Sequence, residues 1–293
     1  MVLGECGLVG CSILAECLIE ALKKKRGMEI NKIYNEDCLL TMKRLDGKVN
    51  AVITSPPYNT GGRIEYWSNK IVNGVRVYSQ NKRYDKYLDT KSSDEYIDWT
   101  IELFEAYNTI LEKDGCVLYN ISYGNESVET MWLLIAEIIK RTEFTVADCI
   151  SWKKTTALPN TTSKNKLTRI CEFVFVFVRK TEYLTFNTNK KVTTTSNKGQ
   201  DFYDVFYNYI EASNNDGSNN LNKATYSTEL VRKLLLLYTK ENDLIYDSFM
   251  GTGTTANACI IEKRNYLGSE LSEEQCKYAD KRLNIRISQP QLF

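Results

Sequence analysis

Short apolar runs alternate with helical stretches along most of this chain, which puts it in the α/β class, with a mixed sheet covered by helices. Ile170–Val178 is so apolar that it needs cover on both faces of its sheet. Leu244–Asp247 leads through a glycine-bearing turn, Ser248–Gly253, into a helical stretch, which is the strand–turn–helix unit of such sheets. With 293 residues, 43% of them apolar, the chain can bury one large domain with insertions or two small ones.

Lys32–Tyr34 reads as a short strand, Leu39–Leu45 as a helix and Val49–Thr54 as a buried strand. From Asn59 to Lys91 the chain holds Gly, Asn, Tyr and Lys without a helical period and is expected to form a long loop. Ser93–Leu111 carries Ile97, Ile101, Phe104 and Leu111 at helical spacing, with Ser92 or Ser93 as N-cap, and Asp114-Gly115 is expected to end it. Cys116–Ile121 reads as a strand, Glu126–Ile139 as a helix, Phe144–Trp152 as a strand and residues 155–166 as a loop. Residues 185–224 are polar, with Asn214–Asn220 the clearest loop. A helix over 226–239, strand 244–247, helix 254–262, strand 265–269 and helix 272–284 complete the alternation.

Two turns carry chemistry. Thr54-Ser55-Pro56-Pro57-Tyr58 follows the apolar run Asn50–Ile53. Two prolines fit neither a helix interior nor a central strand, so the pentapeptide is a rigid turn at the carboxyl end of a strand, the edge where α/β sheets bind ligands. It presents a hydroxyl, backbone carbonyls and an aromatic face, a set suited to a nucleobase with an amino group. Alone it also suits a proline-stiffened surface turn. In the second turn, Gly251 and Gly253 let backbone approach a ligand closely. Thr255 and Ala256 stand where a dinucleotide site carries its third glycine, which argues against a nicotinamide oxidoreductase. Ser269-Glu270 closes the next strand, and an acidic residue so placed can bond both ribose hydroxyls.

Formal net charge is only +1, but residues 151–200 hold 10 Lys/Arg against 2 acids, and residues 63–91 hold 7 against 3. Basic stretches with interleaved Tyr, Asn and Thr are what a phosphate backbone needs, with solvated loops as the alternative. Nine cysteines are scattered singly with no CxxC pair, and there is no histidine, which argues against zinc and excludes a histidine triad. Cys38, Cys116, Cys149, Cys171 and Cys259 fall in apolar runs and are expected to be core thiols. Gly7–Leu22 is too short and too often interrupted by Glu to span a bilayer, and its basic cluster, residues 23–26, follows the apolar part, the reverse of a signal peptide. Residues 1–27 are therefore expected to be an appended segment, and the compartment a reducing cytoplasm.

Together the two turns resemble those of the S-adenosylmethionine-dependent DNA amino-methyltransferases, enzymes acting on cytosine N4 or adenine N6. The resemblance runs from about Met28 to Leu283. It implies a Rossmann-like methyltransferase fold. The catalytic motif precedes the cofactor motif, which resembles the β group and its circularly permuted order. A catalytic domain over 28–284 is implied, with DNA-contact insertions at 59–91 and 153–225 and a tail at 285–293. The implied catalytic residues are Ser55, Pro56, Pro57 and Tyr58; the cofactor residues are Asp37, Asp247, Phe249, Gly251, Gly253, Thr254 and Glu270, with Asp37 at the adenine and Glu270 at the ribose. Lys153, Lys154, Lys164, Lys166 and Arg169 are expected to meet DNA. Double-stranded DNA is the implied partner, with a cognate restriction endonuclease beside it and no metal. Ser55 is similar to the cytosine-N4 subgroup, where the adenine-N6 alternative carries Asp or Asn. Two residues depart from the family pattern: Ser248 stands where many relatives carry proline, and Thr252 where many carry serine. A non-catalytic nucleic-acid-binding module is the rival class, and it gives no reason to keep both turns.

Overall fold

The computed structural model describes residues 28–45, 48–59, 66–72, 75–81, 91–123, 128–157, 159–161, 163–214, 216 and 225–288. The appended segment 1–27 and the last five residues of the expected tail lie outside them. The strands are β1 Lys32–Tyr34, β2 Val49–Thr54, β3 Tyr66–Val72, β4 Val75–Asn81, β5 Leu111–Ile121, β6 Phe144–Lys154, β7 Cys171–Arg179, β8 Val192–Thr195, β9 Asp201–Tyr203, β10 Tyr209–Ala212, β11 Leu244–Asp247 and β12 Asn265–Ser269. The helices are α1 Cys38–Arg44, α2 Ser93–Ile110, α3 Val128–Arg141, α4 Thr228–Tyr238, α5 Thr254–Ile261 and α6 Glu273–Ser288.

Eight strands form the main sheet in the order β1-β12-β11-β2-β5-β7-β6-β10. β7 runs antiparallel to both neighbours, and every other pairing is parallel. Side chains alternate across the sheet, as the two-residue strand period demands. Ala51, Ile53, Cys116, Leu118, Val174, Val176 and Val178 pack with α4, α5 and α6 on one face. Val52, Val117, Tyr119, Phe175 and Phe177 pack with α1, α2 and α3 on the other. Phe104 anchors that second layer with ring contacts to Tyr107, Tyr119, Phe144 and Phe177. Burial of β7 on both faces is as its composition requires. Ser92 starts α2 with a reciprocal capping box to Glu95.

Sheet order places the site. β11 continues through α5 to β12 on one side, while its neighbour β2 continues through α2 to β5 on the other. The crevice at the carboxyl ends of such a diverging pair is where α/β sheets bind ligands. The Ser55–Tyr58 turn and the glycine turn both leave at that crevice, because β2 and β11 are parallel neighbours.

Several expectations are corrected. Residues 59–91 are not loop throughout: β3 and β4 pair as an antiparallel ribbon. Asn73-Gly74 between two runs rich in Val, Ile and Tyr is a hairpin signature that the loop reading passed over. Asp114-Gly115 does not separate α2 from a strand starting at Cys116. The strand begins at Leu111, and its pairing with β2 jumps from Val49↔Leu111 to Ala51↔Cys116, with Asp114 at φ 60° in the irregularity. The polar stretch 185–224 contains β8, β9 and the edge strand β10. Region 153–225 is accordingly not one insertion. Because β7 runs backward, β6 and β10 both end at the crevice edge and β7 begins there, whereas 180–208 cross the opposite edge. α6 extends to Ser288, so it takes in the first residues of the expected tail.

Candidate functional site

The two turns are locked together at Asp247. This carboxylate is fully buried and accepts from Thr54 Oγ1 at 2.7 Å, the Phe249 N–H at 3.0 Å, the Tyr226 hydroxyl at 3.1 Å and the Thr255 hydroxyl. Burial pushes its acidity toward the neutral form, and the four donors oppose that shift. Both oxygens face protein groups, so Asp247 sets the shape of the crevice from beneath. Tyr226 and Thr255 join the lock from α4's approach and from α5, a role that sequence spacing does not show.

Around the glycine turn, Gly251 has φ 56° and Gly253 φ 81°, conformations that side chains resist. A Cβ on Gly253 would meet Ala279 Cβ at 3.0 Å, so α6 packs directly on the turn. Glu270 accepts from Gly251 N–H and Ser272 N–H, both at 2.8 Å, and stays partly exposed at the rim. Asp37 caps α1 through Leu39 N–H at 2.8 Å. Asn35 donates to the Glu270 and Leu271 carbonyls at 2.8 and 3.1 Å, tying the ends of β1 and β12. Thr254 is buried and donates to Asp216 Oδ2 at 2.7 Å, where Arg282 also pairs at 2.7 Å. Ser248 is bonded to the Tyr107 hydroxyl at 2.8 Å, so the departure from proline ties the turn to α2. Thr252, the other departure, has a buried hydroxyl with no hydrogen-bond partner among the described residues.

An aromatic file joins the turns. Phe249 and Trp99 have ring centroids 5.6 Å apart, and Trp99 and Tyr96 5.7 Å. The Tyr96 hydroxyl donates to the Pro57 carbonyl at 2.8 Å. Pro56 and Pro57 are buried, whereas Ser55 and Tyr58 are half-buried. Ser55 Oγ lies 3.1 Å from the Tyr58 hydroxyl, which donates to Glu172 Oε2 at 3.0 Å. Buried Asn120 on β5 donates from Nδ2 to Ser55 Oγ at 3.4 Å, to Glu172 Oε2 at 3.1 Å and to the Tyr58 hydroxyl. Glu172 also pairs with Lys154 at the end of β6. The crevice thus joins a polar cluster, an aromatic ring and a glycine turn.

The profile of the DNA methylase family matches residues 49–281, which include both turns and every strand from β2 to β12. The chain belongs to that family. Among curated DNA methylases, the type II methyltransferase M.Cfr9I of Citrobacter freundii is 25% identical over 90% of this chain and 92% of its own length. Among solved structures, the M1.HpyAVI–SAM complex matches with a TM-score of 0.57 at 22% identity, covering 86% of this chain and 99% of that one. PvuII DNA methyltransferase, described as cytosine-N4-specific, matches with a TM-score of 0.62 at 17% identity over 87% of each chain. These likenesses identify the methyltransferase fold.

In this DNA methylase the five expected DNA-contact residues divide. Lys164, Lys166 and Arg169 are exposed on the 155–170 segment at the crevice edge. The Arg169 guanidinium sits 5.1 Å over the Tyr123 ring and donates to the Tyr123 carbonyl. Lys153 pairs with Glu211 at 3.1 Å, which raises the lysine's affinity for its proton. Lys154 is largely buried against Glu172 and lies 5.1 Å from the Trp152 ring, inside the polar cluster. Arg179 from the same basic stretch braces Asn108 and Leu111 at the opposite edge. Cys38, Cys116 and Cys259 are buried as expected, Cys149 and Cys171 are partly exposed, and Cys276 joins the core. Burial pushes the Cys116 thiol up to about 12, far from a nucleophilic thiolate. Among the described residues no group of three or more His, Cys, Asp or Glu is placed to hold a metal ion, and no helix is long and apolar enough to cross a membrane.

Asn120, Glu172, Tyr96 and Trp99 are the site residues that sequence reading did not reach. Asn120 and Glu172 were in view only as members of apolar strands. A polar residue inside such a run is the signal that could have singled them out.

Proposed function

We propose that this DNA methylase is a site-specific modification enzyme that transfers a methyl group from S-adenosylmethionine to cytosine N4 in duplex DNA. The observation that carries this reading is the Thr54–Asp247 bond of 2.7 Å, which fixes the Ser55–Tyr58 turn beside the glycine turn. The crevice fits the donor: a close-approach turn at Gly251 and Gly253, a carboxylate at Glu270 for ribose hydroxyls, and Asp37 for an adenine amino group. S-adenosylmethionine supplies a sulfonium methyl there.

The residues of the chain do the rest. The target base leaves the stack and lies against the Tyr58 ring. Its amino hydrogens point to Ser55 Oγ and to the Pro56 carbonyl; the neighbouring Pro57 carbonyl already accepts from Tyr96. Two such bonds draw the amino nitrogen out of conjugation with the ring and free its lone pair for in-line attack. Positioning of this kind contributes roughly 7–11 kcal/mol to such reactions. Ser55 in place of an acidic or amide side chain supports cytosine, and the exposed Lys164, Lys166 and Arg169 support a duplex partner. On this reading the enzyme protects DNA in the cytoplasm beside a cognate restriction endonuclease.

The test is nucleoside mass spectrometry of duplex DNA treated with the protein and S-adenosylmethionine. N4-methylcytosine is expected. N6-methyladenine would establish the adenine alternative, and absence of both, with no donor binding, would overturn the assignment.

A further inference from the structure

Methylation of an amine leaves a proton to be removed. The nitrogen becomes cationic on gaining the methyl group and returns to neutrality by losing one N–H. If Ser55 accepts from that N–H, as proposed above, its hydroxyl can take the proton only by passing its own onward. The geometry supplies the next two stations. Ser55 Oγ is 3.1 Å from the Tyr58 hydroxyl, and that hydroxyl donates to Glu172 Oε2 at 3.0 Å. We propose that Glu172 is the proton acceptor of the methyl transfer, reached through Ser55 and Tyr58.

The surroundings suit this role. Asn120 is bonded through Nδ2 to all three oxygens and so holds Ser55, Tyr58 and Glu172 in one file. Asn120 is 1% exposed and closes the inner side of the file. Lys154 holds the other oxygen of Glu172. Among the described residues, Lys154 and Tyr58 are the titratable groups bonded to that carboxylate. Both Lys154 and Glu172 keep some exposure, 24% and 16% of their side chains, which leaves the proton a way to solvent. β7 makes this possible: its backward direction brings its second residue, paired with Trp152, to the crevice edge rather than the far one. The file also explains why residue 58 is Tyr. Phenylalanine would stack on a base equally well but would break the chain of hydroxyls.

The step balances. The amino nitrogen's lone pair forms the N–CH3 bond as the methyl C–S bond breaks, and that bond's electron pair stays on sulfur. One N–H proton passes to Ser55 Oγ, the Ser55 proton to the Tyr58 oxygen, and the Tyr58 proton to the Glu172 carboxylate, which yields it to water.

The inference rests on Ser55 facing the target amine, so its test separates the two. Single-turnover methylation against pH, and base extrusion followed by 2-aminopurine fluorescence in a duplex carrying the mapped site, are measured for Glu172→Gln, Tyr58→Phe and Ser55→Ala. Glu172→Gln and Tyr58→Phe are each expected to slow transfer about 100-fold, extrude the base with wild-type affinity, and lose the acidic limb of the pH–rate profile. Tyr58→Phe leaves Glu172 in place and guards against a folding defect in the other variant. A wild-type rate in both variants overturns the proton route, and so does a wild-type pH profile. A loss confined to affinity or extrusion overturns it as well, by reducing Glu172 to a packing role. If Ser55→Ala keeps a near-normal rate, the reading of the site itself falls. If it is inactive while the Glu172 and Tyr58 variants are unimpaired, the site stands and the route falls.

Discussion

Glu270 shapes the glycine turn, and in the proposed function the same side chain also serves the ribose. Its two oxygens hold Gly251 N–H and Ser272 N–H, so the glycine turn and the entry to α6 are fixed to the same carboxylate. Charge-assisted bonds of this kind are short and strong. Glu270→Ala is expected to weaken S-adenosylmethionine binding by about tenfold or more, the loss of one bond to a charged group, measured by titration calorimetry. Unchanged affinity would move the ribose contact elsewhere. The residues on the two turns were legible because turn chemistry is local: Pro56, Pro57, Gly251 and Gly253 restrict the backbone wherever they occur. Asn120 and Glu172 were not, since they meet Tyr58 only through the register of three strands.

Between elements, the decisive joint is that of β11 with β2. Asp247 lies on one and Thr54 on the other, and both turns leave the sheet just beyond that bond. Asp247→Ala removes an acceptor shared by four donors in a dry interior. A destabilisation of about 3 kcal/mol is expected, read from urea unfolding, with the donor site lost as well. Thr54→Val removes one of the four bonds, at a cost of about 1 kcal/mol. Elements with strong periodicity or apolar content, such as α2 and β7, were evident before the fold was seen. The direction of β7 was not, because nothing in a run of Val and Phe says which end points toward the crevice. β10 was hidden by the polar composition of its surroundings, which resembles loop when a strand lies at a sheet edge, whereas the β3–β4 ribbon carried a local signal in Asn73-Gly74 between its two runs.

Across the whole molecule, a net charge of +1 conceals a division made by the sheet. Lys164, Lys166 and Arg169 lie at the crevice edge, while Arg179, Lys180, Lys190 and Lys191 follow the course of the chain to the other edge. Lys164→Ala with Lys166→Ala is expected to weaken DNA binding for all sequences and to reduce the slope of log affinity against log salt by about 0.9 for each phosphate no longer neutralised. Lys190→Ala with Lys191→Ala should leave that slope unchanged. Filter binding at several salt concentrations checks both, and equal slopes for the two pairs would place the DNA elsewhere. The joint between β2 and β11 has a further consequence for assembly, since the bond at its centre closes over 193 residues of chain. Such distant closure is slow to form, and no amino-terminal portion of the protein that stops short of β11 holds both halves of the crevice. Cleaving the chain at the exposed turn beside Gly199 should yield two fragments, each silent alone, whose coexpression restores DNA methylation: a split enzyme whose activity reports the meeting of its parts.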